Sequence, residues 1–293
     1  MITFEGSMVA IVTPFKEGHV DEKALKNLID FQIQNGTEVI VPCGTTGESS
    51  TLSHDEHENV IALTVEHVNH RVKVLAGAGS NATAEAIRFH KFCERVGADG
   101  SLQITPYYNK PTQEGLYQHF KAIVEAAGLP IVLYNVPSRT GVNMLPETTM
   151  RLSELENIVG IKEASGSIEQ AEKIIQNTKE DFILLSGEDA LTYALYEKGA
   201  RGSISVTCNL KPDRLSLQYK AYKEGDEVLA KQIHEELLPL HEALFFETNP
   251  IPVKAALSDM NLILEEYRLP LVSMGTENRE RLRCVLREQG LIE

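Results

Sequence analysis

Short runs of β-branched and aliphatic residues return along this chain roughly every 20 to 34 residues, each followed by an amphipathic stretch of helical period. The runs are MVAIV from Met8, VIVPC from Val39, VKVLAGA from Val72, SLQIT from Ser101, IVLYNV from Ile131, IVGIK from Ile158, FILLSG from Phe182 and SISVT from Ser203. They are apolar without clean alternation, the pattern of strands covered on both faces and hence of a parallel sheet. Between them lie DEKALKNLIDFQIQNG, with Asp21 as N-cap and Gly36 closing it, then SHDEHENVIALTVEHV, TAEAIRFHKFCERVG, TQEGLYQHFKAIVEAAG and SIEQAEKIIQNTK. Eight strand–helix units predict a (β/α)8 TIM barrel over residues 1–225. The rival is an open doubly wound sheet, which usually has fewer strands in a less regular march. From Asp226 the strand signal stops, and EVLAKQIHEELLPLHEALFF, PIPVKAALSDM and NRERLRCVLREQG make residues 226–293 a C-terminal helical region.

At 293 residues, 42% apolar and 24% charged, the composition is that of a soluble globular protein. No uninterrupted apolar segment approaches about 18 residues, and MITFEGSMVAIVTPF has neither a basic start nor a small-residue cleavage site. Secretion and membrane spanning are therefore not expected. Cys43, Cys93, Cys208 and Cys284 are scattered, without a C-x-x-C pair, as in a reduced cytoplasmic chain. A net charge of -14, spread along the sequence, disfavours nucleic acid as a partner. Asn81-Ala82-Thr83 matches a glycosylation triplet but reads as structural in such a compartment.

The active site of such a barrel lies where its strands end, and the strand ends here are polar: CGTTGESS, TPYYNKP, LYNVPSRTG, GIKEASG and LSGED. Lys162 sits inside an apolar strand, where desolvation favours the neutral amine that attacks a ketone to form a Schiff base. The competing reading is a strand-end lysine that reaches solvent or pairs with Glu163. Tyr134, one strand over, has a phenol able to shuttle protons during carbinolamine formation and dehydration, or else simply fills the barrel. Arg139 offers a fork that suits a carboxylate, although a loop arginine is by default a surface residue. Thr45 and Thr46 lie between Gly44 and Gly47, where the backbone can come close to an anion; without a Walker lysine, a carboxylate is the more natural guest. Gly77-Ala78-Gly79-Ser80-Asn81-Ala82, with Asp99 beyond it, formally matches a dinucleotide fingerprint, but as the third unit of a run of eight it is assigned to loop geometry. His54 and His57 share a helix face without an evident third ligand, so no metal is expected. Tyr107 and Tyr108 are adjacent, and on an extended backbone their phenols would point in opposite directions.

With GTTGE, TPYYN, YNVPSRTG and GIKEASG together, nearly the whole chain resembles the dihydrodipicolinate synthase family, a branch of the pyruvate-dependent class I aldolases that also include N-acetylneuraminate lyase. GTTGE and a strand lysine are features of the whole superfamily; the tyrosine pair with YNVPSRTG narrows the match. The resemblance implies a cytoplasmic lyase of lysine and diaminopimelate biosynthesis, condensing pyruvate with L-aspartate 4-semialdehyde without metal or organic cofactor. It implies that Lys162 forms the imine and that Thr45, Tyr134 and Tyr108 make a proton relay, Tyr108 coming from a neighbouring subunit. Thr46 and the Gly187 region would hold the pyruvate carboxylate, Ile204 would offer a backbone carbonyl, and Arg139 would receive the semialdehyde carboxylate. Ser49, His54, His57, Asn81, Glu85 and Tyr107 match the allosteric lysine pocket of inhibited members, and the family is usually homotetrameric, as dimers of dimers. Ser50 departs from the family, many relatives having alanine there.

Two other functions fit the same residues. Another Schiff-base aldolase, cleaving a sialic or keto-deoxy sugar acid, would share the lysine; Arg139 in SRTG argues against it, since such enzymes bind a polyhydroxylated chain where this one places a carboxylate fork. A catalytically idle sensor of pyruvate or lysine is disfavoured by the intact lysine, tyrosines and threonines.

Overall fold

The structure, a computed structural model, describes residues 4–293. Strand β1 (Gly6–Ala10) leads into a small antiparallel hairpin, β2 (Phe15–Lys16) and β3 (His19–Val20), and then helix α1 (Glu22–Gln34). The alternation continues with β4 (Val39–Val41), α2 (His54–Val68), β5 (Lys73–Gly77), α3 (Thr83–Val96), β6 (Gly100–Ile104) and α4 (Gln113–Val124). Next come β7 (Ile131–Asn135), the single turn α5 (Pro137–Thr140), α6 (Pro146–Ser153), β8 (Ile158–Glu163) and α7 (Ile168–Asn177). The last strands are β9 (Ile183–Ser186) and β10 (Gly202–Ser205), with α8 (Thr192–Glu197) between them. Helices α9 (Pro212–Lys223), α10 (Glu227–Ala243), α11 (Ile251–Asp259) and α12 (Thr276–Glu288) complete the chain. The eight long strands close into a barrel in the order β1-β10-β9-β8-β7-β6-β5-β4, the (β/α)8 architecture expected from the repeat.

All eight apolar runs form strands, and their two-sided burial is direct: Val39, Ile40 and Val41 are each at most 1% exposed. The helix ends also follow the sequence. Asp21 accepts from Ala24 N at the start of α1, Ser53 and Glu56 form a reciprocal capping box on α2, and Gly97 closes α3 in the left-handed region. Asn35 caps the C-terminal end of α1, with Gly36 (φ 88°) just beyond it. The hairpin and the helices α5, α6, α8 and α9 are additions to the pattern read from sequence. Helix α6 is hard to see because it buries Thr148 and Thr149, residues whose β-branching speaks against a helix.

The chain divides into two compact units. In the first, residues up to Gly6 with Lys73–Ile204, strands β5 to β9 pair in sequence order, with Ile104 opposite Tyr134 and Tyr134 opposite Lys162. In the second, Ser7–Val72 with Ser205–Glu293, β1 pairs with β4, and Phe15 of β2, Leu25 and Ile29 of α1 and Ile61 of α2 are fully buried. Each such side chain contributes roughly 1.5–3 kcal/mol of transfer free energy. Among the described residues, no helix is long and apolar enough to cross a membrane.

Candidate active site

Strands β7 and β8 bring the first two candidates together. Tyr134 and Lys162 are register partners, each 6% exposed, and the lysine Nζ lies 4.4 Å from the centre of the tyrosine ring. Strand alternation turns the next pair, Asn135 and Glu163, to the opposite face. The Glu163 carboxylate accepts from Ser165 N (2.7 Å), from Asn135 Nδ2 and from Gln170 Nε2 (3.3 Å). It is thus committed away from Lys162, and the strand-end ion pair is not formed. Burial pushes the Glu163 pKa up, against the lowering effect of those donors, and burial together with the Glu163 charge raises Glu188 as well.

Gly187 follows β9 and donates its N–H to Glu163 O at 2.8 Å. A Cβ there would stand 2.6 Å from the Ala164 Cβ and 3.1 Å from the Lys162 Cε, so the lysine shaft passes where only glycine leaves room. Ile204 is buried in β10. Arg139 is exposed on α5, whose backbone N–H groups bond back to Val136 O and which Gly141 closes in the left-handed region.

The tyrosine pair lies in a turn. Tyr108 has φ 73° and is 89% exposed, while Tyr107 is 38% exposed. Strand alternation therefore does not govern this pair, because Tyr108 takes a left-handed backbone. Asn81 Nδ2 donates to Tyr107 O (3.0 Å), and Ser80 Oγ donates to the Glu85 carboxylate and accepts from Ala82 N. Asn81, Glu85 and Tyr107 are thus gathered around one loop, and the apparent dinucleotide fingerprint has its polar groups engaged by its own chain.

In the second unit, the loop after β4 carries Thr45, half-buried, and Thr46, 2% exposed. Thr46 Oγ1 accepts from Asn249 Nδ2 (3.0 Å), Thr13 Oγ1 donates to Gly47 O (2.7 Å), and Cys43 and Glu48 both take left-handed φ values. A Cβ on Gly47 would lie 3.0 Å from Cys43 N, so this glycine serves the folding of the loop upon itself. Glu48, 2% exposed, accepts a short hydrogen bond from Lys254, which is 0% exposed on α11. Lys254 Nζ also lies 4.2 Å from the centre of the Phe15 ring, and burial pushes its pKa down against the pull of Glu48. Arg268 N donates to Glu48 (3.4 Å), while its guanidinium forks onto Glu56 at 2.7 and 2.6 Å and holds that carboxyl down at about 2. This anchor escaped the sequence reading, although its signal was of the kind that flagged Lys162: a lysine amid Ile251-Pro252-Val253 and Ala255-Ala256-Leu257.

Ser49 opens a short 3-10 turn beyond the same loop. His54 is exposed at the start of α2, whereas His57 is 5% exposed, so these two share a helix but not an environment. Among the described residues no group of three or more His, Cys, Asp or Glu is placed to hold a metal ion.

A family model described as "Dihydrodipicolinate synthetase family" matches residues 3–289. The 4-hydroxy-tetrahydrodipicolinate synthase of Syntrophus aciditrophicus is 54% identical over 289 residues, 99% of each chain. The chloride-inhibited dihydrodipicolinate synthase of Acinetobacter baumannii, solved in complex with pyruvate, superposes with a TM-score of 0.97 at 47% identity, covering 99% of this chain and 100% of that one. The dihydrodipicolinate synthase of Cyanidioschyzon merolae, solved with lysine bound, does so at 0.96 and 41% identity, covering 99% of both. With a family match across almost the full sequence and a strand lysine facing a tyrosine inside a (β/α)8 barrel, the chain belongs to the dihydrodipicolinate synthetase family.

Proposed function

We propose that this protein condenses pyruvate with L-aspartate 4-semialdehyde through a Schiff base on Lys162, giving 4-hydroxy-tetrahydrodipicolinate for lysine and diaminopimelate synthesis. The observation that carries the reading is the buried Lys162 amino group lying 4.4 Å from the Tyr134 ring, in a chain of this family. The amine adds to the pyruvate C2 carbonyl, and the carbinolamine loses water to give the imine. Loss of a C3 proton gives an enamine, whose C3 attacks the aldehyde carbon. The semialdehyde's own amino group then adds to C2, expelling Lys162 and closing the ring.

Tyr134, Thr45 and Tyr108 carry the protons for dehydration in this reading. Thr46, the backbone near Gly187 and the Ile204 carbonyl hold pyruvate, and Arg139 takes the second carboxylate as a fork. Tyr108, almost wholly exposed, is suited to reach a neighbouring copy, so a homotetramer of paired dimers accompanies the proposal. Lysine is the proposed inhibitor, at Ser49, His54, His57, Asn81, Glu85 and Tyr107; support comes from the lysine-bound relative and from the gathering of Asn81, Glu85 and Tyr107. A cytoplasmic setting fits cysteines that form no disulfide among the described residues.

The test is borohydride reduction with pyruvate. A pyruvyl mass on Lys162 is expected, and its absence removes the imine mechanism. A coupled synthase assay with the semialdehyde, with and without lysine, checks substrate and regulation together.

A further inference from the structure

The two strands that present Tyr134 and Lys162 carry a second register pair on their other face, which the chemistry above does not use. Asn135 and Glu163 are 0% and 3% exposed. Asn135 Nδ2 donates to both Glu163 oxygens (3.3 and 3.2 Å) and to Asn143 Oδ1 (2.8 Å). Gln170 Nε2 donates to Glu163 Oε2 (3.3 Å) and to Asn143 Oδ1 (3.1 Å), and Asn143 Nδ2 donates back to Gln170 Oε1 (2.9 Å). Met144 N closes the cluster on Asn135 Oδ1 at 3.0 Å. Each amide is therefore fixed at both its donor and acceptor ends.

A buried carboxylate is unfavourable unless donors surround it, and apolar residues of the same volume would fill this space without that cost. The gain lies in orientation. The cluster joins four segments: the end of β7 beside Tyr134, the end of β8 beside Lys162, the first turn of α7 through Gln170, and residues 143–144, which follow the turn that bears Arg139.

We propose that Glu163, Asn135, Asn143 and Gln170 form a positioning cluster that locks the Lys162–Tyr134 pair to the Arg139 segment, so that the enamine carbon and the second substrate's carboxylate are held at a set separation. None of the four touches substrate in this scheme, which rests on the roles given above to Lys162 and Arg139. A misplacement of about 1 Å in such a constellation can cost as much as a hundredfold in rate.

The experiment compares Asn143→Ala, Gln170→Ala and Glu163→Gln with the unmodified protein by kcat, by KM for each substrate, by the rate of borohydride trapping with pyruvate alone, and by thermal midpoint. Asn143→Ala and Gln170→Ala are expected to raise KM for the semialdehyde about tenfold while KM for pyruvate moves less than about twofold. Glu163→Gln is expected to lower kcat and the trapping rate together, by about tenfold. The proposal is overturned if the variants lose only thermal stability, or if Asn143→Ala and Gln170→Ala lower kcat/KM by the same factor for both substrates. Asn143 and Gln170 are half-buried, so they decide the matter even if Glu163→Gln fails to fold. Failure of the unmodified protein to trap pyruvate on Lys162 would instead remove the underlying function, which keeps the two failures distinct.

Discussion

Gly187 lies against the shaft of Lys162: a methyl group there would press on the Lys162 Cε at 3.1 Å and clash with the Ala164 Cβ at 2.6 Å. Gly187→Ala should therefore displace the lysine or the backbone after β9, and kcat/KM for pyruvate is expected to fall at least about tenfold. Overpacking of this kind costs typically 1–3 kcal/mol, so the thermal midpoint should drop only modestly. Because the closest clash is with the Ala164 Cβ, adding Ala164→Gly should restore part of the activity. Steady-state kinetics on the single and double variants check this, and an undiminished Gly187→Ala would show that the lysine needs no such clearance.

Lys254 and Glu48 neutralise each other in a site closed to water. Lys254→Met leaves a buried carboxylate without its cation, at a cost of about 3–5 kcal/mol. The pair Lys254→Met with Glu48→Gln should recover most of that loss. Urea unfolding of the three variants measures the stability difference. In the same proteins kcat should fall with Lys254→Met, since the loop bearing Thr45 and Thr46 would lose its anchor.

His119 gives stability a dependence on acid. Its ring bonds Thr83 Oγ1 (2.9 Å), meets the Phe120 ring edge-on and is 6% exposed, and burial drives its pKa from 6.5 to about 4. The unfolded chain takes up the proton near pH 6.5, whereas the folded chain resists until about pH 4. The contribution is therefore complete above pH 6.5 and disappears as pH falls to about 4, amounting to roughly 3 kcal/mol over that range. His119→Gln should flatten the difference in unfolding free energy between pH 7 and 4.5. An unchanged slope would assign the acid sensitivity to other groups.

Tyr108→Phe is expected to reduce turnover without shifting the thermal midpoint, since the hydroxyl of a residue 89% exposed supports nothing within its own chain. Tyr107→Phe should leave turnover nearly intact and weaken inhibition by lysine. Initial rates over a lysine titration separate the two effects. Loss of activity alone in both variants would refute the division of labour.

The repeat of strands and helices was legible because two-sided burial leaves an unmistakable run of aliphatic residues, as in Val39-Ile40-Val41 and Ile131-Val132-Leu133. Lys162 was legible for the opposite reason, as a charge interrupting such a run. The partners of Glu163 were not: Asn135, Asn143 and Gln170 come from three elements, and only the register of β7 on β8 and the path of the chain through α5 bring their amides together. Opposite phenols at Tyr107 and Tyr108 were expected from strand periodicity, but the pair lies in a turn with a positive φ at Tyr108, which two tyrosines do not announce. Likewise nothing local to GTTGE shows that its glutamate is met by a lysine 206 positions later.

That last span bears on how the protein is made. A ribosome adding about 5–20 residues per second needs on the order of 10 to 40 seconds between releasing Glu48 and releasing Lys254. Throughout that interval the nascent threonine loop has its carboxylate but not the cation that buries it. The buried Glu48–Lys254 pair can therefore form only after most of the chain has been made, and a chain cut short before Lys254 would leave Glu48 without its cation.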